Sequence, residues 1–317
     1  MNETRKTPAR PPARGQLNPV FVLMTLSVAV LIALIIFLAM LKARQAGEPP
    51  ATEPSTTPSS AQNATTPEPD DPVATVPSQS VPPVTTPPAT EPTARDIIAQ
   101  FAAQHNLTLE DYSEDLIALF ERNPEAREFV LNYPLEYGKE HTIDISGHVN
   151  DPGVPLFLQW DRQWGYKEYA GKAAGLSGCG PTCMSMVAYH FTRDAKYTPA
   201  YMMDFAMSSK KYAVNSSGTQ WAFFQEGTKE LGLSVRELTL EQSQTENHIA
   251  KTVQNSEVIV MNVKPGVFTT VGHYLLIVGY EDGKFRVNDP NSRENSEKLW
   301  AFSEFSDQVR IMWAISE

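Results

Sequence analysis

Cys179 is the residue of this sequence best placed to act as a nucleophile. It lies in the segment LSGCGPTCMSM, with a glycine on each side. Pro181 suits the first turn of a helix, and apolar residues at helical spacing follow from Met184 to Phe191. The pattern predicts a helix that begins at Cys179. Unpaired amide N–H groups and the helix dipole stabilise a thiolate at such a position, and the flanking glycines leave the sulfur open to a substrate.

Two other interpretations of Cys179 stay open, a disulfide with Cys183 and an inert structural thiol. Four residues apart on one helix, the two Cα atoms would be about 6 Å apart with poorly aligned side chains, which disfavours a disulfide. Cys183 is expected to pack beneath the helix as a small apolar residue. Two cysteines are also too few for a disulfide framework, and we expect neither a metal nor a cofactor.

A nucleophilic thiol needs a base, and position distinguishes one of the six histidines. His190 lies too far along the predicted helix to reach the sulfur, roughly 16 Å along the axis. His273 opens GHYLLIVGY, a run with two apolar faces that is typical of a central strand covered on both sides. A polar residue there is either a satisfied core histidine or a site residue. The remaining four histidines are expected at the surface: His105, His141, His148 and His248.

Asp289 is the predicted partner of His273. The residues Glu281-Asp282-Gly283 are predicted to turn the chain back into KFRVND, so that two strands form a hairpin. With a three-residue turn, Asp289 lies opposite Leu275, on the same face as His273 and one diagonal step away, roughly 7–8 Å between backbones. An imidazole and a carboxylate can meet across that gap. Asn288 points to the other face, so Asp289 is the better candidate to orient the ring.

The chain order Cys, His, Asp, on a helix N-terminus, a central strand and its hairpin partner, resembles that of papain-like cysteine peptidases. Within that group, GCGPTCMSM, GHYLLIVGY and the ND-P that follows resemble the peptidases that remove double-glycine leaders from bacteriocins, and more closely their free-standing branch. The resemblance covers residues 154–317. It implies an α+β fold in which a helix carrying the cysteine packs on an antiparallel sheet carrying the histidine and the aspartate.

The resemblance also implies a role for each residue. Cys179 is the nucleophile, His273 the general base and acid, and Asp289 the residue that orients the imidazole. In VPLFLQWDRQWG, Gln159 resembles the glutamine whose side-chain amide donates to the oxyanion. It stands 20 residues before Cys179, whereas the family generally keeps these two residues only a few positions apart. The alternative for Gln159 is a turn residue held by its neighbouring tryptophans.

The N-terminal third is predicted to anchor the chain. Residues 19–41 are uncharged and apolar, and as a helix they are long enough to cross a bilayer of ~30 Å. More basic residues precede this run than follow it, which places residues 1–18 in the cytoplasm and the rest of the chain outside. The run is too long for a cleaved signal peptide, so we interpret it as a signal anchor. Residues 42–94, rich in Pro, Thr and Ser, are predicted to be a linker without a core.

Two further segments complete the predicted organisation. Residues 95–145 are predicted to form a helical preface, with a break at Asn123-Pro124 and no catalytic constellation. Residues 146–317 are predicted to form the papain-like domain, with strands from Val154 onward. Residues 96–317 carry 30 acidic and 19 basic side chains. This surplus of negative charge repels phosphate backbones and excludes nucleic acid as a partner.

These features predict a single-pass, membrane-anchored bacterial protein with an extracellular cysteine peptidase domain. It is expected to hydrolyse a peptide or amide bond of a peptide or protein substrate at the cell surface through an acyl-thioester. Leader removal before export does not fit an extracellular domain. A transglutaminase-like acyl transferase and a peptidoglycan amidase use the same groups and stay open. The alternative from another class is an inactive papain-like module that binds the cell wall or a surface protein.

Overall fold

Short strands and helices make up the part of the chain that the computed structural model describes, residues 91–215 and 218–317. The strands are β1 (Glu168–Tyr169), β2 (Lys172–Ala173), β3 (Ala213–Val214), β4 (Gly218–Thr219), β5 (Ser234–Glu237), β6 (Val258–Val263), β7 (His273–Glu281), β8 (Lys284–Asn288), β9 (Leu299–Trp300) and β10 (Val309–Ser316). The α-helices are α1 (Ala94–Gln104), α2 (Glu114–Arg122), α3 (Arg127–Glu136), α4 (Ala174–Ser177), α5 (Cys179–Thr192), α6 (Pro199–Met207), α7 (Thr228–Glu230), α8 (Leu240–Ser243), α9 (Glu246–Gln254) and α10 (Arg293–Glu297). A π-helical turn, Phe223–Gly227, leads into α7, and short 3-10 turns lie at Leu109–Asp111, Pro124–Ala126, Ser146–His148, Phe302–Glu304 and Ser306–Gln308.

Six strands form one antiparallel sheet, in the order β5-β10-β6-β7-β8-β9. The strand that begins at His273, β7, lies inside this sheet between β6 and β8. Successive side chains of the sheet point to opposite faces. Val260 and Trp313 pack with α5 on one face, while Met261 and Leu275 pack with α9 on the other. The prediction of a central strand covered on both faces is therefore confirmed.

The helix predicted to begin at Cys179 is α5, and its start is confirmed. Its burial differs from the predicted apolar stripe, because every residue from Gly180 to Tyr189 is buried. The sheet covers one side of α5, and side chains of α6, among them Met203, belong to the same core. Arg193 caps the helix just after its last residue, with a left-handed φ of 55°, a common way to terminate a helix.

The predicted helical preface contains α1, α2 and α3. At its start the hydroxyl of Thr93 accepts from the Asp96 backbone N–H (3.2 Å), and the Asp96 carboxylate accepts from the Thr93 N–H (2.9 Å), a reciprocal cap that fixes the first turn. Helix α2 ends just before Asn123-Pro124, as predicted. Apolar side chains of the three helices form a cluster that also includes Tyr166 and Ala173. The preface therefore packs directly on the region that carries Cys179.

The strands predicted from Val154 onward begin only at β1, because residues 154–167 form turns and irregular backbone. The side-chain amide of Asn288 donates to the carbonyls of Val154 (3.1 Å) and Pro155 (3.0 Å). The backbone N–H of Gln159 donates to the carbonyl of Pro290 (2.7 Å). The apolar alternation here resembles a strand, but the polar groups of this segment bond to the end of β8 and the following turn instead of to a neighbouring strand.

The turn between β7 and β8 also differs from the prediction. It has two residues, Asp282 and Gly283, both with positive φ, and Glu281 already pairs with Lys284. An Asp-Gly pair suits a two-residue turn with positive φ at both positions. A register shift between Ile277 and Gly279 then restores the expected pairing. Leu276 pairs with Asn288, as the three-residue turn would have required, so the predicted position of Asp289 is retained.

The predicted cytoplasmic tail (1–18), transmembrane anchor (19–41) and nearly all of the linker (42–94) lie outside the described residues. Within residues 91–215 and 218–317, none of the helices is both long and apolar enough to span a bilayer.

Candidate active site

Cys179 is the first residue of α5, so its thiol lies where the N–H groups of the first turn have no intrahelical acceptor. The residue is partly exposed, whereas Cys183, one turn farther along, is fully buried. Both are free thiols, so the disulfide alternative is wrong. Burial raises the pKa of Cys183 well above its ordinary value, because a thiolate is penalised in an apolar environment. Of the two thiols, only Cys179 is placed for chemistry with a substrate.

His273 and Asp289 form a buried pair. The Nε2 atom of His273 lies 2.7 Å from Oδ1 of Asp289, and their side chains are 7% and 1% exposed. Burial by itself lowers the pKa of His273, but the charge and hydrogen bond of Asp289, with contributions from Cys179, outweigh burial and raise the pKa to about 10. Since Asp289 occupies Nε2, the Nδ1 atom is left for the thiol side. The imidazolium form is favoured at neutral pH.

Both carboxylate oxygens of Asp289 are held in place. The backbone N–H of Asn291 donates to Oδ1 (2.8 Å), and the side-chain amide of Asn295 donates to Oδ2 (2.8 Å). The N–H of Asp289 itself donates to the hydroxyl of Ser296 (2.9 Å). Two of these partners lie on α10, so this short helix fixes the orientation of the carboxylate toward His273.

Residues of the helical preface hold α10 in turn. The carboxylate of Glu125 accepts from the Ser292 hydroxyl (2.9 Å), the Arg293 N–H (3.0 Å) and the Glu294 N–H (3.2 Å). This satisfies N–H groups at the start of α10 that no intrahelical carbonyl can reach. We predicted no catalytic constellation in the preface, and one of its carboxylates nevertheless supports the loop that holds Asp289.

Gln159 is brought to the same cavity as Cys179 and His273. Its side chain is buried, and Nε2 donates to the carbonyl of Gly175 (2.8 Å), while Oε1 accepts no hydrogen bond from the part of the chain that the structure describes. The 19 residues between Gln159 and Cys179 include a turn (160–165), the β1-β2 hairpin and α4, and they return the chain to the glutamine. The unusual sequence spacing is therefore compatible with proximity in space.

The neighbouring tryptophans do hold this turn, as the alternative for Gln159 requires. The indole N–H of Trp164 donates to the carbonyl of Leu158 (2.8 Å), and that of Trp160 donates to the carbonyl of Asn291 (3.0 Å). The two interpretations of Gln159 are thus not exclusive, because a residue held in a turn can also present an amide to the cavity.

Two cavities meet at Cys179 and form one cleft. The smaller, about 350 Å³, is bounded by Gln159, His273 and the Arg122–Glu125 segment of the preface. The larger, about 860 Å³, is lined by residues that include Thr219 and the exposed Trp221. Residues common to both are Leu176, Cys179 and Gly272. A chain lying in this cleft would pass over the thiol, which is the geometry that cleavage of a peptide bond requires.

The wall of the larger cavity rests directly on the helix that carries the thiol. A Cβ atom on Gly180 would lie 2.3 Å from Oγ1 of Thr219. Tyr169 holds that hydroxyl at 2.7 Å, and the Tyr274 hydroxyl donates to the Thr219 carbonyl at 3.1 Å. The glycine that follows Cys179 is therefore needed for this close approach.

The remaining histidines lie away from this site. His190 is half-buried near the far end of α5, and burial lowers its pKa. His105 is exposed, as predicted, while His141, His148 and His248 are partly buried. Among residues 91–215 and 218–317, no cluster of three His, Cys, Asp or Glu side chains has the geometry to hold a metal ion.

Comparison with known proteins identifies the fold family. The model of the Peptidase_C39 like family matches residues 152–316, just over half of the chain. The peptidase domain of Streptococcus ComA, a bi-functional ABC transporter involved in quorum sensing, is 21% identical; the match covers 44% of this chain and 90% of that one, with a TM-score of 0.30.

A C39-like protein of Bacillus anthracis is 16% identical, with 53% and 96% of the two chains covered and a TM-score of 0.30. No curated protein matches the chain. The resemblance inferred from GCGPTCMSM and GHYLLIVGY is confirmed by the family match over the mixed helix and antiparallel-sheet region. The chain belongs to the Peptidase_C39 like family.

Proposed function

We propose that this protein is a cysteine peptidase that hydrolyses a peptide or amide bond through Cys179, His273 and Asp289. The observation that carries the proposal is the buried 2.7 Å contact between His273 and Asp289, in a cleft where Cys179 stands at a helix N-terminus. A nucleophile, a base and a residue that orients the base are the groups that covalent hydrolysis requires.

The proposed reaction begins from the pair in which His273 already holds the proton of the Cys179 thiol, in keeping with its raised pKa. The thiolate attacks the scissile carbonyl carbon, and the tetrahedral intermediate expels the amine, which receives the proton from His273. This leaves an acyl-thioester on Cys179. A water molecule then attacks the thioester carbonyl and transfers a proton to His273, the C–S bond breaks, and the acid product leaves while Cys179 and His273 return to their starting state. Asp289 keeps Nδ1 of His273 available to the sulfur throughout.

Developing negative charge on the carbonyl oxygen needs hydrogen-bond donors. Gln159 has a second Nε2–H besides the one that bonds to Gly175, and the backbone N–H of Cys179 lies at the unpaired start of α5. These two groups are the proposed oxyanion hole. Two positioned donors of this kind stabilise the intermediate far more than water does.

We also propose that the peptidase acts at the cell surface on a peptide or protein substrate, held there by the apolar N-terminal segment. The supporting observation is the uncharged run at residues 19–41 with more basic residues before it than after it. Protease added to intact cells should release a fragment that contains residues 96–317, while the N-terminus stays protected. Protection of that fragment until the cells are lysed would overturn the proposed orientation.

Alkylation of the full-length protein tests the catalytic proposal. Iodoacetamide at pH 6–7 should modify Cys179 much faster than Cys183, as mapped by mass spectrometry. His273→Ala should abolish this rapid labelling, and the matched His190→Ala variant should keep it. Cys179→Ser should lose cleavage of a quenched-fluorescence peptide library. Equal slow labelling of both thiols would favour a binding module, and amide formation with an added amine would indicate acyl transfer.

A further inference from the structure

We propose that Arg310 is a carboxylate-binding residue of the substrate cleft, so that this peptidase prefers a substrate with a carboxylate close to the scissile bond. The inference rests on the proposed role of Cys179. It adds a substrate class that the reaction chemistry alone does not specify.

Arg310 lies on an irregularity of the sheet. Along β10, Val309 pairs with Val263 and Ile311 pairs with Asn262, which are consecutive residues of β6. Arg310 is therefore the extra residue of a β-bulge and has no partner opposite it. Bulges of this kind turn a side chain away from the regular strand direction, and they are frequent beside functional sites.

The bulge directs the guanidinium toward the catalytic histidine. Val263 pairs with both Val309 and His273, so the bulge lies two strand spacings from His273, roughly 10 Å. The Nη1 atom of Arg310 lies 3.3 Å from where a Cβ atom on Gly272 would be. Gly272 precedes His273 and borders both cavities beside Cys179. The positive charge is thus brought next to the reacting groups.

Ion pairing distinguishes Arg310 from the other cations of the larger cavity. Lys172 is paired with Asp115 (2.5 Å), and Lys211 with Glu226 (3.1 Å). Within residues 91–215 and 218–317, Arg310 makes no ion pair with a carboxylate. It is also exposed to solvent, so its charge is not engaged in holding the fold.

The cavity is therefore locally positive on a chain that carries a net charge of −11. Three cations border it, but Lys172 and Lys211 are paired with carboxylates, so among the described residues the cation left without a carboxylate is Arg310. A guanidinium offers a planar pair of N–H donors that matches a carboxylate. The ligand group can be an Asp or Glu side chain or the C-terminal α-carboxylate of a peptide, since both present the same chemistry.

A matched pair of thiol reagents tests the proposal without a known substrate. The full-length protein is treated with 3-maleimidopropionate and with its methyl ester, and the rate of Cys179 modification is measured for each. Wild-type protein should react faster with the carboxylate reagent than Arg310→Met does. The ratio of the rate with the carboxylate to the rate with the ester should be roughly tenfold lower in Arg310→Met than in wild type. The same comparison with the longer 6-maleimidocaproate and its methyl ester tests a carboxylate held farther from the reacting thiol. Arg236→Met is the matched control. Arg236 lies on the edge strand β5, is exposed and is paired with Glu257.

The outcomes separate the two proposals. If the ester labels Cys179 rapidly but the ratio is the same in wild type and Arg310→Met for both arm lengths, carboxylate recognition is wrong and the peptidase proposal stands. If Cys179 reacts as slowly as a buried thiol, the peptidase proposal fails, and the ratio measured on that slow reaction still decides the role of Arg310.

Peptide substrates then distinguish the two sources of the carboxylate. Glu is compared with Gln at each position around the cleaved bond, and a free C-terminus is compared with an amidated one. The source that Arg310 binds is the one whose advantage in kcat/KM is lost in Arg310→Met. Arg310→Glu should instead favour Lys at that position. Equal advantages in all variants would overturn the proposal.

Discussion

The carboxylate of Glu125 accepts a 2.9 Å hydrogen bond from the hydroxyl of Ser292, although 167 residues separate them in the chain. Glu125 lies in the helical preface, before the first residue matched by the family model, residue 152. Ser292 lies three residues after Asp289 and caps α10. The preface therefore stabilises the loop that carries the aspartate of the proposed triad.

Glu125→Gln should slow turnover by roughly tenfold, because the amide offers one acceptor oxygen and no charge to the three donors at the start of α10, so the loop is held less firmly relative to His273. Stability should fall by about 1 kcal/mol, the usual effect of losing a helix cap. Urea unfolding and steady-state cleavage measure the two effects. Glu128→Gln is the control, since Glu128 is exposed on α3. Equal kinetics in both variants would show that α10 keeps its position without Glu125.

The Gln159 amide should act on the intermediate more than on substrate binding. Gln159→Ala is expected to lower kcat by roughly 10²–10³, the range for loss of one oxyanion donor, with a smaller change in KM. Gln159→Glu should be equally impaired, because a carboxylate cannot donate. Gln163→Ala, on the same turn and bonded to the Asp144 N–H, should keep activity. A rise in KM at constant kcat would assign Gln159 to the turn alone.

The pKa of His273 predicts how stability changes with pH. The pKa is about 10 in the folded protein and about 6.5 when unfolded, so the folded state binds the extra proton between these values. The contribution is fully present below pH ~6.5 and is lost as pH rises toward 10. In that window the free energy of unfolding should fall as pH rises, because the folded state loses the proton that the unfolded state does not bind.

Urea denaturation between pH 6 and 10 measures this slope. Asp289→Asn removes the charge that raises the pKa of His273, so the variant should show a shallower slope than wild type. Parallel curves for the two proteins would indicate that His273 does not carry the extra proton in the folded state.

Gly180→Ala should damage the larger cavity. The added methyl group would lie 2.3 Å from Oγ1 of Thr219, whose position Tyr169 and Tyr274 hold. We expect a loss of about 1–3 kcal/mol of stability and reduced cleavage, because the wall must move away from α5. Thermal unfolding and kinetics measure both. Gly153→Ala, with nothing within 4 Å of the new atom, should change neither.

Local signals were sufficient to locate Cys179 and His273. A glycine-flanked cysteine followed by Pro181 marks a helix start, and an apolar run after a histidine marks a central strand. Asp289 was placed through an incorrect three-residue turn, and the bulge after Ile277 compensated for the error. The predicted position of Asp289 is nevertheless correct. The observed two-residue turn with a bulge and the predicted three-residue turn without one both place Leu276 opposite Asn288.

Other parts of the site depend on packing between distant segments. Glu125 contacts α10 through the fold of the preface, and a sequence pattern around Glu125 carries no sign of that contact. Arg310 is one strand residue among several, and only the register of two strands reveals the bulge. The absence of a strand at residues 154–167 also depends on contacts between distant segments. Asn288 and Pro290 supply the hydrogen bonds that a neighbouring strand would otherwise supply.

The burial of Cys183 has a consequence for oxidation. If an oxidant converts the Cys179 thiolate to a sulfenic acid, a second accessible thiol is needed to resolve it as an internal disulfide. The chain contains only these two cysteines, and Cys183 is fully enclosed in the core. The protein therefore has no resolving thiol of its own, and recovery from such oxidation depends on a thiol supplied from outside.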